Sequence, residues 1–309
     1  MSATSLQNRN AFKSFKSFSK RLIKGKTFRK SEFGTGIFDK TIRGALTRRK
    51  NRPAGHRAAP VRLVIAPQAE GASSTETVRI FIGTEPAQHR AERVLLWSIL
   101  KQRDSLRRYE IYLMKDLKGF NRESWKTGFT AYRYGIPEMA GFKGRAIYND
   151  VDQIYLADPG QLYDLDMQGK GVLAVESRDT SVMLMDCGLL AGLWTIADIN
   201  AESQAKIHTP MLKKVRAVAL IDDLPGQWNS RDHEYNEKTS CLLHYTILHT
   251  QPWRPFPAEL RYHENALSSL WFDLESEADR EGFAPLWKKE PDRPYTDMRD
   301  FFTDISDTY

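Results

Sequence analysis

Short apolar runs alternate with longer mixed ones through the middle of this chain. Val78-Arg-Ile-Phe-Ile-Gly83 and Tyr109-Glu-Ile-Tyr-Leu-Met114 are rich in β-branched and aromatic residues and have strand length. Between them, Val94, Leu95, Ile99 and Leu100 recur at helical spacing within residues 87–102, after a proline, Pro86, suited to a first helical turn. Strand, helix, strand in that order predicts a parallel βαβ unit. Further strands are predicted at 144–149, 171–176 and 181–187, and helices at 188–199 and 202–215. The alternation predicts an α/β fold, a sheet with helices on both faces, whose ordered body begins near Thr77. Ligands on such sheets bind outside the carboxyl ends of the strands. Gly83-Thr84-Glu85 and Asp150-Val151-Asp152 both fall at such ends.

The flanks read differently. Residues 50–75 carry Pro53, Pro60 and Pro67 and read as a linker. Residues 1–75 are therefore taken as an arm with its linker, 76–256 as the main domain, and 257–309 as a C-terminal extension of helices and loops packed on it, with Trp271 and Trp287. Charge sharpens this division. The net charge of +7 is unevenly placed: residues 1–60 hold 16 Lys/Arg against 2 Asp/Glu, and the remainder 30 against 37. In the arm, Phe12, Phe15, Phe18, Leu22 and Ile23 stand at near-helical spacing among Lys13, Lys16, Lys20, Arg21 and Lys24. Residues 10–30 thus suit a basic amphipathic helix on an anionic membrane surface. The same composition resembles an organelle transit peptide and also fits a solvated arm; nucleic acid is the less favoured partner. Two cysteines, Cys187 and Cys241, are too few for a disulfide framework and fit no zinc spacing. They suit a reducing compartment, and the expectation is a cytoplasmic protein, peripheral on the inner face of a membrane, or one targeted to an organelle by its arm. No apolar stretch of about 18 residues is present, and no secretory h-region is visible.

Candidate chemistry centres on Asp150 and Asp152. Ala146-Ile-Tyr148 precedes them and Ile154-Tyr-Leu156 follows, so the pair lies near a core. Buried carboxylates are costly unless a cation or hydrogen-bond donors compensate them. A histidine from the cluster His244-Tyr-Thr-Ile-Leu-His249 would complete an oxygen-rich site for a divalent cation able to hold a diphosphate. The plainer alternative is a pair of capping side chains in a turn. Gly169-Lys-Gly171-Val-Leu-Ala174 matches a loose dinucleotide fingerprint, but it precedes a strand and reads as a turn. There is no Walker A loop, nucleophile elbow or His-Glu-x-x-His.

Taken in order, these pieces resemble the nucleotide-sugar glycosyltransferases of the glycogenin and galactosyltransferase type, glycosyltransferase family 8, which have the GT-A fold. The resemblance runs from about Val78 to Phe256. It rests on Ile80-Phe-Ile-Gly-Thr84, the helix with Val94-Leu-Leu-Trp-Ser-Ile99, Thr130-Ala-Tyr-Arg-Tyr-Gly-Ile-Pro137, Ala146-Ile-Tyr-Asn-Asp150-Val-Asp152, and His244-Tyr-Thr with Gln251-Pro-Trp253. The last looks like a closing His-x-x-Gly…Lys-Pro-Trp. It implies a GT-A type mixed sheet and Mn²⁺ or Mg²⁺ held by Asp150, Asp152 and His244, with His249 as the substitute histidine. Donor contacts would come from Gly83, Thr84, Glu85, Arg133, Asn149 and Asp150. The family's Asp-Gln pair has no clean counterpart. Gln227-Trp228-Asn229 and Asp232 occupy that stretch, so Asn229 and Asp232 join Asp152 as catalytic candidates. Asp179-Thr180-Ser181 stands where the family has Asn-x-Gly.

The function implied is transfer of a sugar, with retention, from a UDP-sugar to a hydroxyl of a glycan, lipid or protein acceptor. Two rivals from other classes are a metal-dependent nucleotidyltransferase or phosphohydrolase, which would release pyrophosphate or phosphate, and a non-catalytic basic-armed binding protein.

Overall fold

The computed structural model describes residues 55–283 apart from 56, 69–75, 123–126, 203–206 and 259. The arm at 10–30 and Trp287 lie outside the described residues. No helix among them is long and apolar enough to cross a membrane.

The strands, in chain order, are β1 (Val61–Ile65), β2 (Val78–Gly83), β3 (Tyr109–Met114), β4 (Arg145–Asp150), β5 (Gln153–Tyr155), β6 (Val172–Val175), β7 (Asp179–Asp186), β8 (Ile221–Asp223), β9 (Ser230–Arg231) and β10 (Leu242–His244). Helices are α1 (His89–Gln102), α2 (Ile136–Met139), α3 (Pro159–Tyr163), α4 (Ile196–Ala201), α5 (His208–Ala217) and α6 (Ser268–Arg280). Seven strands form one mixed sheet in the order β1-β3-β2-β4-β7-β6-β8, and β5, β10 and β9 form a second, small one. The predicted βαβ unit is present: β2 and β3 pair in parallel and α1 connects them. β4 joins β2 on its other side, also in parallel, while β7 runs antiparallel to both β4 and β6.

Two expectations need correction. Val61–Ile65 is not linker but an antiparallel edge strand on β3, burying Val61, Leu63 and Ile65. Pro60 and Pro67 bracket that strand, and proline is tolerated at a sheet edge. Residues 188–199 do not form one helix: the chain turns through Gly188–Trp194, with Gly192 at φ 74°, and helix α4 begins only after Thr195, whose hydroxyl accepts the Asp198 amide. The second expected helix, 202–215, is observed as α5 over His208–Ala217.

Helix α1 packs on β5, and its Val94, Leu95, Leu96 and Ile99 are fully buried in the core that also takes in β2, β3 and β4. Helix α6 lies on α1. Arg90 grips Glu275 through two hydrogen bonds and stacks over the Trp271 ring at 5.0 Å, and Arg93 reaches Asp279 at 2.6 Å. Trp253 links that corner to the small sheet, its ring 5.6 Å from Trp271 and 5.8 Å from Tyr245.

Candidate metal centre

The Asp-x-Asp turn is where the chain leaves the large sheet for the small one. Asp150 ends β4, Val151 is buried in the turn, and β5 starts at Gln153. β5 pairs antiparallel with β10, setting Gln153 opposite His244. The Tyr245 amide donates to the Asp152 carbonyl at 2.9 Å, which extends the ladder by one step. A histidine from far down the chain is thereby brought against the turn. One ligand atom each from Asp150, Asp152 and His244 lies within 4.8 Å of the others.

Each of the three is held from behind. Asp150 Oδ1 accepts from Arg133 Nη2 at 2.6 Å and from the Tyr148 hydroxyl. Tyr148 and Asp150 share a face because side chains alternate along a strand. The Arg133 guanidinium lies over the Tyr148 ring at 4.5 Å. His244 Nδ1 donates to Asn229 Oδ1 at 2.8 Å, which leaves Nε2 as the nitrogen facing the aspartates. Nε2 is 3.2 Å from Asp152 Oδ1, yet Oδ1 is buried and takes no hydrogen bond from the described residues. Asp152 Oδ2 accepts from the Gln251 amide at 3.1 Å.

The electrostatics agree with a site short of positive charge. Burial raises the Asp150 pKa to about 6, with Arg133 opposing and Asp152 adding to the rise. Burial alone would depress the His244 imidazole, but Asp152, Asp150 and Asp179 outweigh it, so its pKa is raised. The raised imidazole reflects the negative potential of the aspartates around it, whereas the Asp150 rise is chiefly desolvation. A divalent cation suits that potential, and an unbonded buried carboxylate oxygen beside an imidazole nitrogen is a fitting donor set for Mn²⁺ or Mg²⁺.

The other sequence candidates fall in different places. Gly83 pairs with Asp150 across β2 and β4, so the Gly83-Thr84-Glu85 loop adjoins the centre. The Thr84 hydroxyl, however, is buried and donates to Glu92 at 2.6 Å, while Glu85 accepts the Gly128 amide at 3.2 Å. Arg133 is committed within the protein: besides Asp150 it bonds the Thr130 carbonyl and both Thr180 oxygens. It therefore braces Asp150. Asn149 points to the opposite face of β4, where it accepts from Tyr155 and donates to Gln153, each at 2.8 Å. Asp232 stands outside the cluster. Its two oxygens take the Thr246 amide and hydroxyl and the Asn265 amide, which ties together the chain after β10. His249 faces the Arg261 carbonyl at 3.2 Å and is not part of the group. Trp228 is core. Gln251 and Tyr148 carried no sequence signal as supports, because their roles depend on contacts between distant segments.

Beyond β9, an open groove of about 590 Å³ is lined by Glu176, Asp223, Gln227, Ser230, Arg231 and Glu234. It shares Arg231, the strand partner of His244, and Arg231 also lies 3.8 Å from Asp179.

No family model and no curated protein matches the sequence. Solved structures do resemble the fold. WbbM, a bifunctional glycosyltransferase in its apo form, matches with a TM-score of 0.52 and 12% identity over 71% of this chain and 52% of its own. The glycosyltransferase GlyE of Streptococcus pneumoniae TIGR4 matches at 0.49 and 17%, over 72% and 66%. The galactosyltransferase LgtC, solved with donor and acceptor sugar analogues, matches at 0.43 and 9%, over 65% and 96%. The chain spans about half to two thirds of the length of the first two. Its mixed α/β architecture is that of the GT-A glycosyltransferases.

Proposed function

We propose that this chain is a metal-dependent glycosyltransferase that moves a sugar from a UDP-sugar to a hydroxyl of a glycan, lipid or protein acceptor, with retention. The observation that carries the reading is the convergence of Asp150, Asp152 and His244 at the carboxyl end of β4. These three side chains would hold Mn²⁺ or Mg²⁺. When bound, such a cation offsets the negative charge of the diphosphate and stabilises UDP as leaving group.

The protein's own part is positioning. Arg133 and Tyr148 hold Asp150 through one oxygen. Asn229 fixes the tautomer and ring plane of His244. The Gly83–Glu85 loop, level with Asp150 on the neighbouring strand, is assigned to the nucleoside. The groove beyond β9 is assigned to the acceptor, since it adjoins the residue paired with His244. Attachment of the basic arm to an anionic membrane face remains part of this proposal and rests on its sequence alone.

The test is UDP release from a panel of UDP-sugars. Release should require Mn²⁺ or Mg²⁺, and Asp152→Asn should abolish it. Turnover that persists with chelator would sink the assignment, and release of pyrophosphate in place of UDP would move the chain to the nucleotidyltransferases.

A further inference from the structure

Gln251 stands behind Asp152, and its side chain is buried. Its amide nitrogen donates to Asp152 Oδ2 at 3.1 Å and to the Tyr245 carbonyl at 3.0 Å. Both neighbours are acceptors, so chemistry fixes which end of the amide faces them. The other end, Oε1, is buried and receives no hydrogen bond among the described residues. An unsatisfied buried acceptor costs about 1–3 kcal/mol.

What the amide supplies is control of a carboxylate. With Oδ2 held, Asp152 Oδ1 faces His244 Nε2 without a hydrogen bond of its own among the described residues. Asp150 is arranged in the same way from the other side, with Arg133 and Tyr148 both on Oδ1. Each aspartate has one oxygen restrained and one presented. Gln251 is itself on firm ground. Two residues on, the Trp253 indole donates to Gln88 at 2.6 Å and the Trp253 carbonyl accepts from Arg90 at 3.2 Å. An amide suits this position because it donates to a carboxylate yet carries no charge to oppose a cation.

We propose that Gln251 is a positioning residue for a divalent cation, fixing Asp152 so that Oδ1 is presented together with Asp150 and His244. This rests on the metal-dependent reading given above. Gln251→Met keeps length and flexibility but removes the donor. Gln251→Asn keeps the amide and withdraws it by one methylene, and it decides the matter should the methionine variant fail to fold. Mn²⁺ alone is titrated into the full chain, with free Mn²⁺ followed by electron paramagnetic resonance and metal-free melting measured in parallel. The expected result is a dissociation constant raised about 10- to 100-fold in the variants, with metal-free melting close to that of the native protein. Native protein that binds no Mn²⁺ overturns the functional reading itself. Native protein that binds, with variants binding within about twofold, overturns the role of Gln251 alone. Lowered melting with unchanged Mn²⁺ affinity also overturns it, by showing a purely structural side chain.

Discussion

Each metal-group side chain is defined by what stands behind it. Gly83 illustrates how tight that backing is. A Cβ there would run into the Tyr148 hydroxyl and come within 2.8 Å of Phe129. Gly83→Ala should therefore drive Tyr148 off Asp150. We expect a loss of about 1–3 kcal/mol in stability and about a tenfold weaker Mn²⁺ affinity, read by melting and by Mn²⁺ titration. Unchanged affinity would mean that the Tyr148 bond does not matter to the site. The Asp-x-Asp pair was legible because apolar residues bracket it. Strand alternation sets Asn149 apart from Asp150: adjacent strand positions face opposite sides, and Asn149 bonds Tyr155 and Gln153. Arg133 and Asp232 illustrate a different limit. Their residue types suit phosphate binding and catalysis, but they bond to Thr130, Thr180, Thr246 and Asn265, and nothing in the spacing announces those partners.

Among the elements, β1 shows how far local signals reach. Val61, Leu63 and Ile65 do alternate, but the flanking prolines outweigh a five-residue run. Pairing with β3 is a tertiary fact. That pairing also creates an acid-sensitive contact. Burial would raise the Glu110 pKa, but hydrogen bonds from Arg62, Tyr112 and Arg108 overcome it and hold the carboxyl down at about 2. A carboxyl depressed in the folded state contributes stability above its ordinary range, and that contribution is lost as pH falls towards the folded value. Glu110→Gln should thus be less stable than the native chain at pH 6. The difference should shrink as pH drops from about 4.5 towards 2. Chemical denaturation across that range is the check, and a difference independent of pH would refute the contact. The βαβ unit, by contrast, was readable outright, since a strand-length run, a helical stripe and a second run specify it locally. Gly188 and Gly192 decided against a long helix at 188–199 although the leucines between them suit one.

For the molecule as a whole, the order of pieces along the chain carried the architecture, while the meeting of its two sheets did not show. The small sheet arises because β5 leaves β4 after two residues and recruits β10 from far away, and only the folded register places His244 against Asp152. Helix α6 then closes over α1 through Arg90, Arg93 and Trp271. Joining two sheets at a two-residue turn has a mechanical consequence. An ion seated there would stitch the seam, with one thread in β4 and another in β10. The three short strands should then open less often when Mn²⁺ is present, because a ligand that binds only the closed form opposes its opening. Amide hydrogen exchange of Leu243 and His244 should slow on adding Mn²⁺, while exchange in the middle of β2, far inside the large sheet, should stay as it was. Equal slowing everywhere would place the weak point of the molecule elsewhere than at the seam.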